Sequence, residues 1–244
     1  MWLLYFFSDN VAMWDWVHKK GEARFGAGGI WHYGDWMKQN RANVYLQNQI
    51  KADLKDSSQD TLRILDVSCS VGIVLADLRD KISAADAASS RVEIFGSDIS
   101  HVMVNASAKR CASCHVAQYD IGRLQRDDRS EDGSAVYDAF APDVAEFDYV
   151  LVSDVLYYIG WGGWMPIVLK YCSYCRQFKS VQSAYKRFAK NIQSITRRQV
   201  VFSDHQRNPI IIDFFKTVRA GYVRDSDVFV LSGKNINNQE PINN

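Results

Sequence analysis

The sequence lacks the long apolar runs and the excess of one charge that would place it in a special class of protein. No stretch approaches the roughly 20 apolar residues that a bilayer crossing requires, and the opening run Trp2–Phe7 is short, with no basic flank before it. We therefore expect neither a membrane span nor a signal peptide, and we predict a cytoplasmic protein. Because 29 basic and 28 acidic residues leave a net charge of +1, overall charge gives no reason to expect nucleic acid or a membrane as partner.

Cysteine is also scarce, with five in 244 residues. An odd number of cysteines, in a chain long enough to fold without covalent cross-links, argues against a disulfide framework, so we predict reduced thiols. The pairs Cys111-x-x-Cys114 and Cys172-x-x-Cys175 offer four thiols for a tetrahedral zinc site. The gap between the pairs is far longer than in compact zinc modules, and the second pair falls on the apolar face of a predicted helix. Core packing is the favoured interpretation, and no metal is expected.

No linker-like tract divides the chain into comparable halves, so we expect one core domain. Residues 1–58 are rich in Trp, Tyr, Gly and Asn and contain a predicted helix over 36–54; we expect an aromatic-rich helical cap packed on the core. The core domain is predicted over residues 59–234. The polar, Asn-rich residues 235–244 predict a flexible tail.

From Thr61 onward, strand patterns alternate with helical ones. Strands are predicted over 62–67, 91–98, 115–119, 147–152, 199–203 and 228–231, helices over 72–81, 101–111, 164–195 and 210–219, and a charged loop over 123–146. Such alternation implies right-handed crossovers and a mostly parallel sheet with helices on both faces. Ligands of these sheets bind beyond the carboxyl ends of the strands. The chemistry is therefore expected at those ends.

Four short motifs follow those strand ends in order. They are Asp66-Val-Ser-Cys-Ser-Val-Gly72, Val92–Ser100 with Asp98, Tyr119-Asp120-Ile121, and Phe147–Tyr158. The first supplies small residues for a tight turn from a strand into a helix amino terminus, where a backbone can approach a ligand closely. The succession over residues 61–160 resembles the class I S-adenosylmethionine-dependent methyltransferases. The resemblance implies an α/β, Rossmann-like fold with a mostly parallel, seven-stranded sheet.

The resemblance also implies S-adenosylmethionine as cofactor. Asp98 would accept hydrogen bonds from the ribose hydroxyls, and Asp120 from the adenine amino group. In full, the implied cofactor-binding residues are Asp66, Ser68, Cys69, Ser70, Gly72, Asp98, Ile99, Asp120, Ile121 and Ser153. Ser68 and Ser70 stand where the family has glycine, and there a positive φ costs more. The alternative for each acid is a turn or a helix cap.

We predict methyl transfer to nitrogen or oxygen of a small molecule, with anionic substrates included. Three side chains are candidates for proton transfer at the substrate: His32 in an aromatic segment, Tyr158 after the fourth strand, and His205 after the fifth. Methyl transfer is an in-line displacement at an activated sulfonium, so positioning can suffice without a base. A surface or capping role remains open for the histidines.

Residues 155–203 contain no acid but eight basic residues, interleaved with aromatics. Over 170–198 this composition allows an alternative, an RNA methyltransferase that tracks the phosphate backbone; solvated faces of amphipathic helices would give the same composition. A noncatalytic binding protein that lost the cofactor through Ser68 and Ser70 is a further alternative. Methylation of DNA adenine is disfavoured because no Asn-Pro-Pro-aromatic segment follows the fourth strand, and a nicotinamide oxidoreductase because Gly-x-Gly-x-x-Gly is absent.

Overall fold

The computed structural model describes residues 10–25, 41–55, 61–83, 91–120, 146–153, 155–156, 178–204, 209–218, 220–222 and 228–233. The chain forms two compact units, Met1–Ile121 and Gly122–Asn244. Each unit has its own strands, helices and buried core.

The first unit contains three parallel strands. Its elements in chain order are α1 (Asn10–Phe25), α2 (Arg41–Leu54), β1 (Leu62–Val67), α3 (Ile73–Ser83), β2 (Val92–Asp98), α4 (His101–Arg110) and β3 (His115–Gln118). The strand order is β3-β2-β1, with Asp66 of β1 opposite Gly96 and Asp98 of β2 opposite Gln118. Side chains on both faces of β1 and β2 are buried, as expected for parallel strands covered by helices.

A buried polar cluster joins α2 to α3. Asp77 Oδ2 accepts hydrogen bonds from Asn43 Nδ2 and Gln47 Nε2, each at 3.0 Å, and lies 2.9 Å from Lys81 Nζ. Leucines and isoleucines at helical spacing on both helices are also buried, including Leu46 on α2. The cluster therefore compensates the buried carboxylate of Asp77.

The second unit contains four strands of mixed direction. Its elements are β4 (Phe147–Ser153), α5 (Phe178–Ser194), β5 (Thr196–Ser203), α6 (Pro209–Thr217), β6 (Gly221–Tyr222) and β7 (Val228–Ser232). Strand β5 pairs with β4 in parallel and with β7 antiparallel, and β6 is antiparallel to β7. Phe215 lies at the centre of an aromatic core, with ring centroids 4.2 Å from Phe229, 4.9 Å from Phe202 and 5.0 Å from Phe214.

The α/β class with mostly parallel strand pairing is confirmed, and β1 has the predicted bounds. Strand β5 begins at Thr196, three residues earlier than expected, because the polar residues Thr196–Arg198 extend it. Two elements were not predicted, α1 and the two-residue strand β6. The assembly of all seven strands into one sheet stays a prediction.

Several expectations lie outside the described residues. These are the loop at 123–145, the first part of the helix predicted over 164–195, the domain boundaries near 58 and 234, and the tail. The boundaries therefore stay predictions. Within the described ranges, no helix is both long and apolar enough to cross a membrane.

The expectation that all thiols are reduced is wrong. Cys111 and Cys114 form a disulfide with a Cα–Cα separation of 5.3 Å. The physical reason is local: Cys111 caps the end of α4, and the Cys114 N–H donates to the Cys111 carbonyl at 3.0 Å, so one tight turn brings the two side chains together. Cys69 is buried and free, and Cys172 and Cys175 lie outside the described residues.

Candidate cofactor site

The turn between β1 and α3 has an unusual backbone. Ser68, Ser70 and Gly72 have φ values of 60°, 50° and 75°, and the two serines are the non-glycine residues with positive φ in the described part of the chain. These are the three positions at which the resemblance implies glycine. The turn thus has a geometry that favours glycine, although serines occupy two of its three positive-φ positions, and each serine carries strain of about 1 kcal/mol or more.

Backbone hydrogen bonds hold this turn in place. The Cys69 N–H donates to the Ser97 carbonyl of β2 at 2.8 Å, and the Gly72 N–H donates to the Cys69 carbonyl at 2.9 Å. A Cβ at Gly72 would lie 2.9 Å from the Ser107 Cα of α4. Glycine is therefore required at 72 both by its φ and by the close approach of α4.

Cys69 fills space under the turn. Its thiol lies 3.6 Å from Ser107 Oγ, and a Cβ at Gly96 would come within 2.9 Å of its sulfur. Burial, reinforced by the charges of Asp98 and Asp66, raises the pKa of the Cys69 thiol well above its usual value. The thiol is therefore protonated and packed, which does not suit a nucleophile.

Asp98, the last residue of β2, is buried and held by backbone amides. Its Oδ2 accepts from the Ser70 N–H at 3.0 Å and its Oδ1 from the Ser100 N–H at 2.9 Å. Burial raises the pKa of Asp98 to about 6, although these amides and that of Ile99 favour the ionised form. A carboxylate has about four acceptor positions, so Asp98 can still accept from a ligand hydroxyl.

Asp66 lies one residue before the end of β1 and is 3% exposed. Burial, followed by the nearby charge of Asp98, raises the pKa of Asp66 to about 8. At neutral pH the pair therefore consists mainly of a protonated Asp66, which can donate a hydrogen bond, and an ionised Asp98, which accepts.

The end of β3 borders this region. The Tyr119 N–H donates to the Asp98 carbonyl at 3.0 Å, and Gln118 Nε2 donates to the Ile99 carbonyl at 2.9 Å. Asp120 follows and is half-buried. The structure thus brings Asp66, Ser68–Gly72, Asp98 and Ile99 together, with Asp120 two residues beyond the β2–β3 pairing.

Sequence reasoning missed three residues of this region: Asp15, Ser100 and Gln118. Ser100 had a signal, since a serine after a strand is a common helix cap, and its Oγ does accept from the Met103 N–H at 3.4 Å. Asp15 had none, because it lies on α1, 85 residues away from Ser100, whose Oγ it contacts at 2.6 Å.

In the second unit, Ser153 lies at the end of β4, opposite Ser203 of β5, and the two hydroxyls share a hydrogen bond of 2.8 Å. Its implied contact with the cofactor stays a prediction. Four other residues, His32, Ile121, Tyr158 and His205, lie outside the described residues, so their assigned functions also stay predictions.

The basic segment is partly committed to structural contacts. Arg197 Nη2 and Arg198 Nε lie 2.8 Å and 3.4 Å from the two carboxylate oxygens of the buried Asp148. Tyr185 of α5 is buried in the aromatic core, with its ring centroid 5.5 Å from that of Phe214. Among the described residues, no cluster of three or more His, Cys, Asp or Glu could hold a metal ion.

A scan of protein-family models and a search of curated protein sequences each find no match to the chain. Solved structures do match. The CurJ carbon methyltransferase superposes with a TM-score of 0.51 at 10% identity, over 86% of this chain and 59% of that one. The fold is that of a class I methyltransferase.

Two other structures with the methyltransferase fold superpose less well. Magnesium protoporphyrin IX methyltransferase from Synechocystis PCC 6803, solved with bound S-adenosylmethionine, has a TM-score of 0.46 at 14% identity over 92% of this chain and 96% of that one. A TehB-like S-adenosylmethionine-dependent methyltransferase from Corynebacterium glutamicum has a TM-score of 0.43 at 14% identity over 82% of this chain and all of that one.

Proposed function

We propose that the chain binds S-adenosylmethionine and transfers its methyl group to nitrogen or oxygen of a small molecule. The observation that carries the proposal is the Asp98 carboxylate, buried at the end of β2 and oriented by the Ser70 amide of a positive-φ turn. That arrangement combines an acceptor with a closely approachable backbone, beyond the carboxyl ends of parallel strands.

The residues present fit this cofactor. Asp98 has an acceptor position left for a ribose hydroxyl. The buried, ionised Asp98 favours a ligand with positive charge, and S-adenosylmethionine carries a sulfonium and an ammonium group. When bound, the cofactor supplies a methyl group that is already activated for displacement. The chain then has to orient the acceptor and exclude water.

The substrate class is a small molecule, with anionic ones included because Lys186 and Lys190 of α5 are exposed. His32, Tyr158 and His205 are our candidates for accepting the proton that the substrate loses. We place the protein in the cytoplasm, without a membrane partner.

The RNA alternative has less support. Arg197 and Arg198 pair with Asp148, and Tyr185 is buried, so these three are not available to contact a phosphate backbone or to stack with bases. RNA binding would fall steeply with salt concentration, whereas binding of a small substrate would not. A noncatalytic relative would bind neither S-adenosylmethionine nor S-adenosylhomocysteine.

Calorimetry with S-adenosylmethionine and S-adenosylhomocysteine tests the proposal. We expect micromolar dissociation constants for the purified chain and binding about 100-fold weaker in Asp98→Ala, since the variant loses a charge-assisted hydrogen bond to the ribose. Glu93→Ala is the matched control: it removes an acid from the same strand, but one that pairs with Arg63 at 2.9 Å on a half-exposed surface. No binding to folded wild-type protein at millimolar concentration would contradict the proposal and favour the noncatalytic alternative.

A further inference from the structure

Helix α1 contacts the first turn of α4 through one carboxylate. Asp15 Oδ1 accepts a hydrogen bond from Ser100 Oγ at 2.6 Å and a longer one from the Val102 N–H at 3.4 Å. Ser100 is the N-cap of α4 and is fully buried. A hydroxyl has one proton, so donation to Asp15 leaves the lone pairs of Ser100 Oγ to accept from Met103. Asp15 therefore determines the direction in which the Ser100 hydroxyl points.

The same serine holds the candidate ribose acceptor. The Ser100 N–H donates to Asp98 Oδ1 at 2.9 Å, while Asp98 Oδ2 accepts from the Ser70 N–H of the turn. A continuous set of hydrogen bonds thus joins α1, the start of α4, the end of β2 and the strained turn. Each link connects groups that are buried or partly buried, so each is stronger than an exposed contact.

We propose that Asp15 is a positioning residue of the cofactor site, which acts through Ser100 to orient the Asp98 carboxylate and couples the docking of α1 to cofactor binding. The inference rests on the proposed function, because it assigns Asp98 to the ribose. Asp15 need not touch the cofactor. By linkage, a cofactor that binds better to the ordered Asp98 also stabilises α1 in its docked position.

The negative charge of Asp15 affects Asp98 in a second way. The amino terminus of α4 stabilises the Asp15 carboxylate, but the charge of Asp15 disfavours ionisation of Asp98 and raises the pKa of Asp98. Asp98 in turn raises the pKa of two other titratable groups, Asp66 on β1 and Cys69 in the turn. An asparagine at 15 would keep the acceptor oxygen and remove only the charge, which separates orientation from electrostatics.

The neighbouring histidine defines the usable pH range. His18 lies one turn after Asp15, stacks on Trp14, and its buried Nδ1 has no hydrogen-bond partner in the described part of the chain. Burial lowers the pKa of His18 to about 4, although Asp15 acts in the other direction. Above pH 5 the folded protein therefore holds His18 neutral, and its titration does not enter the binding curve.

The test measures the dissociation constant of S-adenosylhomocysteine between pH 5 and 8 for wild type, Asp15→Ala and Asp15→Asn. Asp80→Asn, an exposed acid on α3, is the matched control. At pH 8 we expect Asp15→Ala to bind about tenfold more weakly and Asp15→Asn to bind like wild type. In wild type, affinity falls as the pH drops through about 6, where Asp98 gains its proton; in Asp15→Asn that midpoint moves to lower pH.

A helix that merely stabilised the fold would lower the thermal midpoint without moving the pH midpoint of binding. Amide exchange over residues 10–25 adds a second readout, and we expect ligand to slow it in wild type and in Asp15→Asn but not in Asp15→Ala. If wild type binds and Asp15→Ala binds equally well, the positioning inference is overturned and the proposed function stands. If wild type binds no S-adenosylhomocysteine, both are overturned.

Discussion

Asp98 in the first unit and Asp148 in the second are both buried acids on parallel strands, but their surroundings differ. Asp148 has a cation at each carboxylate oxygen, Arg197 and Arg198. Asp98 accepts from backbone amides, and the charged group that acts on it is another acid, Asp15. A buried carboxylate that is paired with cations has a structural role. A buried carboxylate with no cation beside it is suited to bind a ligand that donates hydrogen bonds or carries positive charge. The contrast separates the two acids by function more clearly than burial or strand position does.

The largest effect is expected when Asp148 is deprived of its cations. In the double variant Arg197→Met/Arg198→Met the buried carboxylate loses both of these cations, and we expect a loss of about 3 kcal/mol in the free energy of unfolding by denaturant titration. Adding Asp148→Asn should restore most of the loss, because the charge is gone. A double variant as stable as wild type would show that Asp148 is not buried in solution.

The pH dependence of stability tests the opposite property of the first unit. Because burial raises the pKa of Asp66 to about 8, the folded state holds a proton that the unfolded state has released, so stability falls as the pH rises toward that value. Between pH 6.5 and 8 we expect a decrease of about 2 kcal/mol, mostly absent in Asp66→Asn.

The range begins at pH 6.5 because His18 contributes most to the pH dependence of stability below that value. The pKa of His18 is lowered to about 4 in the folded state, so the contribution of His18 to stability increases with pH between about 4 and 6.5, opposite in sign to the effect of Asp66. Asp80→Asn is again the control and should retain the full decrease above pH 6.5. A flat curve in wild type would mean that Asp66 is ionised or solvated.

The smallest effect concerns the turn. Ser68→Gly and Ser70→Gly remove strain at positive φ but add freedom to the unfolded chain, so we expect a combined gain of up to about 1 kcal/mol in unfolding free energy. Ser113→Gly, in a turn where φ is not positive, should destabilise slightly. Cofactor affinity should stay equal or increase. If Ser68→Gly and Ser70→Gly each lowered the free energy of unfolding, the serine hydroxyls would stabilise the fold by more than the backbone strain destabilises it.

The sequence predicted the features that depend on local pattern. Strand β1 and the acids Asp66 and Asp98 follow from a short apolar run ending in small and acidic residues. The turn residues Ser68 and Ser70 were recognised because their order matched a family pattern. Helix α4 was also anticipated within one residue of its observed bounds, from the helical pattern that follows the strand ending at Asp98.

Features that depend on distant partners could not be predicted in this way. Strand β6 is two residues long and is defined by its pairing with β7. Helix α1 lacks a single apolar stripe, and the contact of its Asp15 with Ser100 joins residues far apart in sequence. The Cys111–Cys114 disulfide is different: its spacing was visible, but the odd number of cysteines was given more weight.

The burial of Cys69 under the turn makes that thiol a natural reporter. A protonated, enclosed sulfur reacts with alkylating reagents only when the structure around it opens. The rate at which the peptide containing Cys69 becomes labelled in native protein therefore reports how often the β1–α3 turn opens. Measured by mass spectrometry with and without nucleoside, it would follow occupancy of the site without any substitution in the chain.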